Sequence, residues 1–429
     1  MKFLIIKGKK RLCGQIRVPG DKSISHRGVM IGSIAEGETI IENILLSEDT
    51  IRTIECFRQM GVNIDIEDCR VKIKGVGLNG LKDPNKVLDC GNSGTTMRLI
   101  SGILVGQQFP TTLIGDDSLN KRPMDRIIVP LSKMGANIKG VDYKYPPLKI
   151  LPSKTPLESI DYELPVASAQ VKSSILLACL HSNGKTRIIE KNPTRDHTER
   201  MLNYFGAHII KEKDYIYMEP KGNLIAKNIY VPGDISSAAF LIVAATIIEG
   251  SSVIIKDVGL NPTRTGIINV INDMGGSIKI ENVRIFNNET IGDIHASYSP
   301  LRGIEIQEEI LGTLIDEIPV IAVAAAFAKG KTIIRNAEEL KYKETNRIKA
   351  MVNELKSMNA DIIELPDGLI IEGKEELKPA ALKSYNDHRI AMALSIAAFN
   401  TEGESIIDNH ECINISYPNF YETLFQLAH

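Results

Sequence analysis

Five residues, Lys343-Glu344-Thr345-Asn346-Arg347, set two cations and a carboxylate side by side. Read as the head of a helix, they place Lys343 and Arg347 on one face, one turn apart. Glu344 then starts an apolar stripe that continues through Ile348, Met351 and Leu355. A carboxyl group at such a boundary is partly desolvated, the setting in which it serves as a general acid or base. An exposed helix with solvated charges is the plain alternative. A second stretch, Gly20-Asp21-Lys22-Ser23-Ile24-Ser25-His26-Arg27, joins a candidate N-cap, Ser23, to two cations, Lys22 and Arg27. Ser23 would accept from the open amides of the first turn, and the helix dipole favours an anion there. Arg27 lies one turn on and shares that face. The result is a seat for a phosphate or carboxylate, or else a capped surface helix.

Further polar heads carry similar residues. Gly91-Asn92-Ser93-Gly94-Thr95-Thr96-Met97-Arg98, Ser168-Ala169-Gln170-Val171-Lys172, Gly233-Asp234-Ile235-Ser236-Ser237, Asp316-Glu317-Ile318-Pro319 and Tyr385-Asn386-Asp387-His388-Arg389 each open an apolar run. His388 is equally a capping residue or a catalytic one. Arg122, in Lys121-Arg122-Pro123-Met124, and Arg195, in Thr194-Arg195-Asp196-His197, suit a bidentate grip on phosphate or carboxylate. Either serves equally as a surface charge. The chain has no Walker loop, dinucleotide fingerprint, zinc-ligand spacing or nucleophile elbow.

The elements that must position these residues repeat. Val18-Pro19-Gly20-Asp21 recurs as Val231-Pro232-Gly233-Asp234, and each precedes a mostly apolar helix ending in Glu-Gly. Six times a glycine closes such a helix and a β-rich run follows, at Gly37, Gly106, Gly184, Gly250, Gly330 and Gly403. A second, amphipathic helix comes next. The first of these spans Asp49 to Met60, with Ile51, Ile54, Phe57 and Met60 on one stripe. These helices end alike, at Met60-Gly61, Met134-Gly135, Phe205-Gly206, Met274-Gly275 and Met358-Asn359, and an alternating hairpin follows. The sixth copy stops after its helix, so Phe3 to Ile6 is expected to supply its missing strand.

The pattern predicts an α/β (α+β) chain of two lobes, each of three repeated βαβαββ units with buried parallel helices. One lobe is 20–231. The other combines 1–19 and 232–429, and the duplicated Val-Pro-Gly-Asp segments mark a two-crossing hinge. A six-unit solenoid is the rival arrangement. Two opposed faces of helix N-termini would form an electropositive cleft for an anionic ligand.

At 429 residues the chain is too long for one ordinary core. Its 43% hydrophobic and 24% charged residues are those of a globular protein. A net charge of −2 argues against nucleic acid or an anionic membrane as partner. Six scattered cysteines, without a C-x-x-C pair, read as reduced thiols. The N-terminal apolar run is too short for a signal peptide and no run reaches a membrane span, so a cytoplasmic location is expected.

Asp-Lys-Ser-Ile-Ser-His-Arg (21–27), Gly-Asn-Ser-Gly-Thr-Thr-Met-Arg (91–98), Lys-Arg-Pro-Met (121–124), Lys-Glu-Thr-Asn-Arg (343–347) and Asp-His-Arg (387–389) form one ordered set. In it the whole chain resembles the 5-enolpyruvylshikimate-3-phosphate synthase family. The resemblance implies the enolpyruvyl transferase fold, an inverse α/β barrel in each of two lobes that close on substrates. It implies transfer of the enolpyruvyl group of phosphoenolpyruvate to the 5-hydroxyl of shikimate 3-phosphate, releasing phosphate, with no metal or organic cofactor. Lys22, Ser23, Arg27, Ser168, Ala169, Gln170, Arg195, Asp316 and Lys343 would hold shikimate 3-phosphate. Lys22, Gly94, Arg122, Gln170, Arg347, His388 and Arg389 would hold phosphoenolpyruvate, with Asn92, Thr95, Arg98 and Asp387 in support. Asp316 would be the base for the attacking hydroxyl. Glu344 would donate a proton to the methylene carbon, with Lys22 assisting. A monomer is expected, and Gly94 leaves room that implies sensitivity to glyphosate.

The chain departs from some relatives in three places. Ile415-Ser416-Tyr417-Pro418 lacks a Lys before the aromatic-Pro pair, Ala169 replaces a serine, and Glu339 stands where some have Asn. Arg195 is the expected substitute contact. The nearest rival is the sister enzyme acting on UDP-N-acetylglucosamine, which carries a reactive Cys in a second-repeat loop. No Cys lies between Cys90 and Cys179 here. A non-catalytic anion- or RNA-end-binding protein is the rival from another class. It would gain nothing from Asp316 and Glu344 beside an anion.

Overall fold

Six helices are buried on nearly every side in the computed structural model, which describes residues 3–8 and 10–429. They are Lys22–Ile34, Gly94–Leu104, Ala169–Cys179, Ile235–Ile247, Ile318–Ala326 and His388–Phe399. Five open on a side-chain cap. Asp21 accepts from the Ile24 amide at 2.8 Å, Ser93 from Thr96 at 3.1 Å and Asp387 from Arg389 at 2.9 Å. Ser168 and Asp234 cap the others. The sixth, headed by Glu317, begins with Pro319 in its first turn, where a missing amide costs nothing.

The first cap corrects the expectation for Ser23, which lies inside the helix. Two good capping residues compete there, and a carboxylate at Asp21 also suits the positive end of the dipole. A helix apolar all round has no stripe to fix its starting phase, so its sequence left the choice open.

A strand follows each inner helix: Glu36–Glu42, Thr111–Ile114, Thr186–Ile189, Ser252–Gly259, Lys331–Ile334 and Glu404–Asp408. In five repeats it takes a parallel neighbour on one side and the second strand of a hairpin on the other. The first sheet runs Ile229–Tyr230, Glu36–Glu42, Arg70–Val76, Asn63–Glu67, with Thr39 opposite Ile73. In the sixth, Phe3–Lys7 fills the hairpin place, antiparallel to Glu404–Asp408 with Phe3 opposite Asp408. Alternation holds there: Ile6 is buried while Phe3 and Ile5 face outward.

The outer helices stop where left-handed backbone begins. Gly61, Gly135, Gly206, Gly275 and Asn359 have φ of 86°, 87°, 101°, 91° and 68°, a conformation glycine and asparagine adopt at little cost. The first outer helix spans Glu48–Gln59, with Met60 as its C-cap.

The chain divides into two compact units. The terminal unit takes the N-terminal residues up to Pro19, Pro232–Ile285 and Thr290–His429; the middle unit takes Gly20–Val231 and Phe286–Glu289. The last segment is a short excursion of the chain out of the terminal unit. It is the tip of the hairpin formed by Ser277–Phe286 and Glu289–Ser297, so the chain passes between units four times. Within the middle unit the Phe286 ring meets Tyr230 edge-on at 5.8 Å, Arg200 Nη1 donates to the Asn288 carbonyl at 2.8 Å, and His197 Nδ1 lies 2.7 Å from Glu289 Oε1. Among the described residues no helix is long and apolar enough to cross a membrane.

Candidate active site

In the terminal unit one guanidinium gathers the chemistry. Arg347 is 2% exposed and is the first residue of helix Arg347–Ser357. Its Nε donates to Asp387 Oδ2 at 2.8 Å and its Nη2 to Glu344 Oε2 at 2.7 Å. Its Nη1 donates to Asp316 Oδ1 at 3.2 Å. Burial alone would lower this guanidinium's pKa; Asp387, Glu344 and Asp316 outweigh it and hold the group far above its ordinary range.

The helix starts later than its sequence suggested. Asn346 caps it by accepting from the Lys349 amide at 3.1 Å, so Lys343 and Glu344 lie in the preceding turn. They reach the site through that turn rather than through helical spacing. Lys343 Nζ stands 3.4 Å from Asp316 Oδ1 and 3.4 Å from Glu339. Glu344 faces a cation rather than heading an apolar stripe.

Arg389 Nη1 donates to the Asp316 carbonyl at 3.0 Å and lies 3.5 Å from Glu317 Oε1, which also accepts from Ser236. His388 is buried, but the cap of its helix is Asp387, so the capping role proposed for it falls to its neighbour. Asp316, Lys343, Glu344, Arg347, Asp387 and Arg389 thus form one connected cluster.

The middle unit holds a second set. Arg98 Nη1 donates to Gln170 Oε1 at 2.6 Å, and Gln170 Nε2 to Thr95 Oγ1 at 3.0 Å. Arg122 Nη2 donates to Asn92 Oδ1 at 2.7 Å. Gly94 sits beside both arginines: a β-carbon there would lie 2.9 Å from Arg98 Nη1 and 3.7 Å from Arg122 Nη1. Ser168 and Ala169 open the helix that carries Gln170.

Lys22 is ion-paired with Asp49. Arg27 is 4% exposed, and its donors meet the Ser23 carbonyl at 3.0 Å, Thr198 Oγ1 at 2.6 Å and Ser173 Oγ at 2.9 Å. It braces the first and third inner helices against the outer helix His197–Tyr204. Arg195 is half-buried just before that helix. His26 Nδ1 meets Thr53 Oγ1 at 2.7 Å, Thr53 meets Thr96 at 2.7 Å, and Thr96 donates to Ser93 at 2.7 Å. Burial, opposed by Asp49, lowers the His26 pKa to about 3 and leaves the ring neutral.

Several residues of these networks escaped the sequence reading. Asp49 was seen only as a helix start, although an acid in a first turn suits a nearby cation as well as the dipole. Lys172 was visible as a lone charge in an apolar helix, the one signal that a buried partner must exist. Nothing local marked Ser173 or Thr198, and Glu317 stood in the polar head Asp316-Glu317-Ile318-Pro319 with nothing to show its role.

Residues 6–424 match the family described as EPSP synthase (3-phosphoshikimate 1-carboxyvinyltransferase). A 3-phosphoshikimate 1-carboxyvinyltransferase of a Thermoanaerobacter species is 55% identical over 422 residues, 98% of this chain and 99% of that protein. One from Oceanobacillus iheyensis is 52% identical over 96% of each. Among solved structures, an EPSP synthase from Acinetobacter baumannii is similar at a TM-score of 0.90 and 45% identity, covering 99% of this chain and 98% of that one. The enolpyruvyl transferase NikO from Streptomyces tendae shares the fold at a TM-score of 0.78 and 19% identity, covering 100% of this chain and 98% of that one.

Proposed function

The chain belongs to the EPSP synthase family, and we propose that the two sets of residues above divide that family's reaction between them. The enzyme is a transferase of the shikimate route to aromatic amino acids. It moves the enolpyruvyl group of phosphoenolpyruvate to the 5-hydroxyl of shikimate 3-phosphate and releases phosphate. In our reading Glu344, with Lys22 assisting, protonates the methylene carbon, which gives C2 cationic character. Asp316 takes the proton of the 5-hydroxyl as its oxygen bonds to C2. The tetrahedral adduct then returns a methyl proton to Glu344 and expels phosphate, which takes the proton Asp316 had accepted, and the double bond is restored.

The observation that carries this assignment is the sharing of one buried guanidinium by Asp316 and Glu344. Two carboxyl groups fixed on a common cation are held in register, as an acid and a base acting on neighbouring atoms must be. Arg347 favours the charged form of each, so Glu344 takes up the proton it donates when the anionic substrates bind beside it. Arg122, Arg347 and Arg389, with Gly94, Gln170, His388 and Lys22, are assigned to phosphoenolpyruvate, where guanidinium forks match phosphate and carboxylate. Lys22, Ser23, Arg27, Ser168, Ala169, Gln170, Arg195, Asp316 and Lys343 are assigned to shikimate 3-phosphate. Asn92, Thr95, Arg98 and Asp387 hold these groups in place. The same reading takes the enzyme as a cytoplasmic monomer without nucleic-acid or membrane partners.

Phosphate release from purified protein tests the reaction. It is expected only with both phosphoenolpyruvate and shikimate 3-phosphate present. Release with UDP-N-acetylglucosamine as the acceptor would point to the sister transferase instead. Glyphosate is expected to inhibit, and unperturbed turnover at millimolar inhibitor would refute that.

Gly94→Ala gives a finer test. The added methyl meets the ends of two flexible arginines, so they shift and the fold persists. The melting temperature is expected to hold while KM for phosphoenolpyruvate rises about tenfold. An unchanged KM would separate Gly94 and its arginines from that substrate.

A further inference from the structure

One group of buried charges in the middle unit takes no part in the chemistry above. Lys172 is 0% exposed, in the first turn of helix Ala169–Cys179 and two residues beyond Gln170. Its Nζ lies 2.7 Å from Glu190 Oε1 and 2.7 Å from Glu199 Oε1. Glu190 directly follows strand Thr186–Ile189, and Glu199 lies in the first turn of helix His197–Tyr204. Glu190 Oε1 also accepts from the Thr194 amide at 3.1 Å and hydroxyl at 2.6 Å, and Lys211 reaches Glu190 Oε2 at 2.8 Å. The segment between the two glutamates is therefore drawn into a loop around one ammonium. Arg195 sits in that loop, directly after Thr194.

Stability is a poor reason for such a triad. Apolar side chains of similar volume in place of a buried ion group are often neutral or stabilising. Geometry is a better one, because two carboxylates and a lysine in a dry site must keep hydrogen-bond distance or leave a charge unpaired. Burial would lower the pKa of Lys172, yet Glu199 and Glu190 outweigh it and raise it, so the cation persists. Burial would likewise raise that of Glu190, and Lys172 with Lys211 and Thr194 brings it below its ordinary value.

We propose that Lys172 is a positioning residue for shikimate 3-phosphate: through Glu190 and Glu199 it holds the Arg195 loop in register with the helix head that presents Ser168 and Gln170. This rests on the assignment of Arg195, Ser168 and Gln170 to that substrate. Lys172 itself is walled off from solvent and touches no reactant. Its effect reaches binding through the backbone at both ends of the loop.

Lys172→Met alone leaves two buried carboxylates facing each other and weakens folding, so the test uses the full chain with K172M, E190L and E199L together. This variant also takes the acceptor from the Thr194 amide and hydroxyl, so it is expected to stay folded with a lower melting temperature, with kcat and KM for phosphoenolpyruvate within about twofold and KM for shikimate 3-phosphate raised about tenfold. Arg195→Ala is expected to cost about tenfold in that KM in the parent and less than about twofold in the triple background. A folded triple variant with unchanged KM for shikimate 3-phosphate overturns the proposal. So does an Arg195→Ala cost equal in both backgrounds.

If the triple variant does not fold, Glu199→Gln reads the same split while keeping an oxygen beside the ammonium. A rise of about threefold in that KM at constant kcat supports the proposal, and a fall in stability with KM unmoved overturns it. A wild-type chain without two-substrate turnover overturns the reaction and this inference together. A wild type that turns over, with variants that do not move, overturns this inference alone.

Discussion

Glu344→Gln is expected to keep both substrates bound at near wild-type affinity and to turn over about a hundred to ten thousand times more slowly. The amide fills the same volume and still offers Arg347 Nη2 an oxygen where the carboxylate now stands 2.7 Å away. It has no proton to give the methylene carbon. The side chain is 24% exposed, so the lost charge changes folding little. Calorimetric titration with shikimate 3-phosphate, beside phosphate release under saturation, separates the two effects. Full activity would remove Glu344 from the mechanism. A loss of affinity as large as the loss of rate would make it a binding group.

Arg347→Met is expected to be the most damaging single change in the terminal unit. It deletes a cation that is 2% exposed and donates to Asp387, Asp316 and Glu344, of which Asp387 has no exposed side-chain surface. Removing one partner of a buried ion group costs about 3–5 kcal/mol, because the remaining charges keep their desolvation without compensation. The folded guanidinium's pKa is raised, so its contribution is fully present below the unfolded value and is lost only at still higher pH. The wild-type contribution should therefore be flat across any practicable pH range. Denaturant unfolding checks the cost. Adding Asp387→Asn to Arg347→Met is expected to restore part of the stability and none of the turnover. A single variant as stable as wild type would show that these carboxylates do not depend on Arg347.

The inner helices were legible because each opens on polar residues and closes near a glycine. The hairpins were legible from period-two alternation, as at Asn63–Glu67 and Arg70–Val76. Phase was not legible. In Asp21-Lys22-Ser23, two residues compete to cap a helix that is buried all round, and no apolar stripe votes between them. In Lys343 to Arg347, helical spacing placed Lys343 and Arg347 together for the wrong reason. They converge because Asp316, from the head of an inner helix, accepts from Arg347 and forms an ion pair with Lys343. Asn346 was the overlooked sign, since a cap at that position excludes Lys343 and Glu344 from the helix. The excursion of Phe286–Glu289 had no local signal, because its partners Tyr230, His197 and Arg200 are far off in sequence.

The pairing of Phe3–Lys7 with Glu404–Asp408 bears on how the chain is made. The ribosome releases the first strand roughly 400 residues before its partner, about 20–80 s earlier at ordinary elongation rates. The stretch Gly20–Val231 can complete its first sheet once Ile229–Tyr230 emerges. The opening strand, with Phe3 and Ile5 on one side and Ile6 on the other, waits meanwhile as an unpaired edge. Nascent chains stalled before Glu404–Asp408 is made should therefore be the species that holdase chaperones capture.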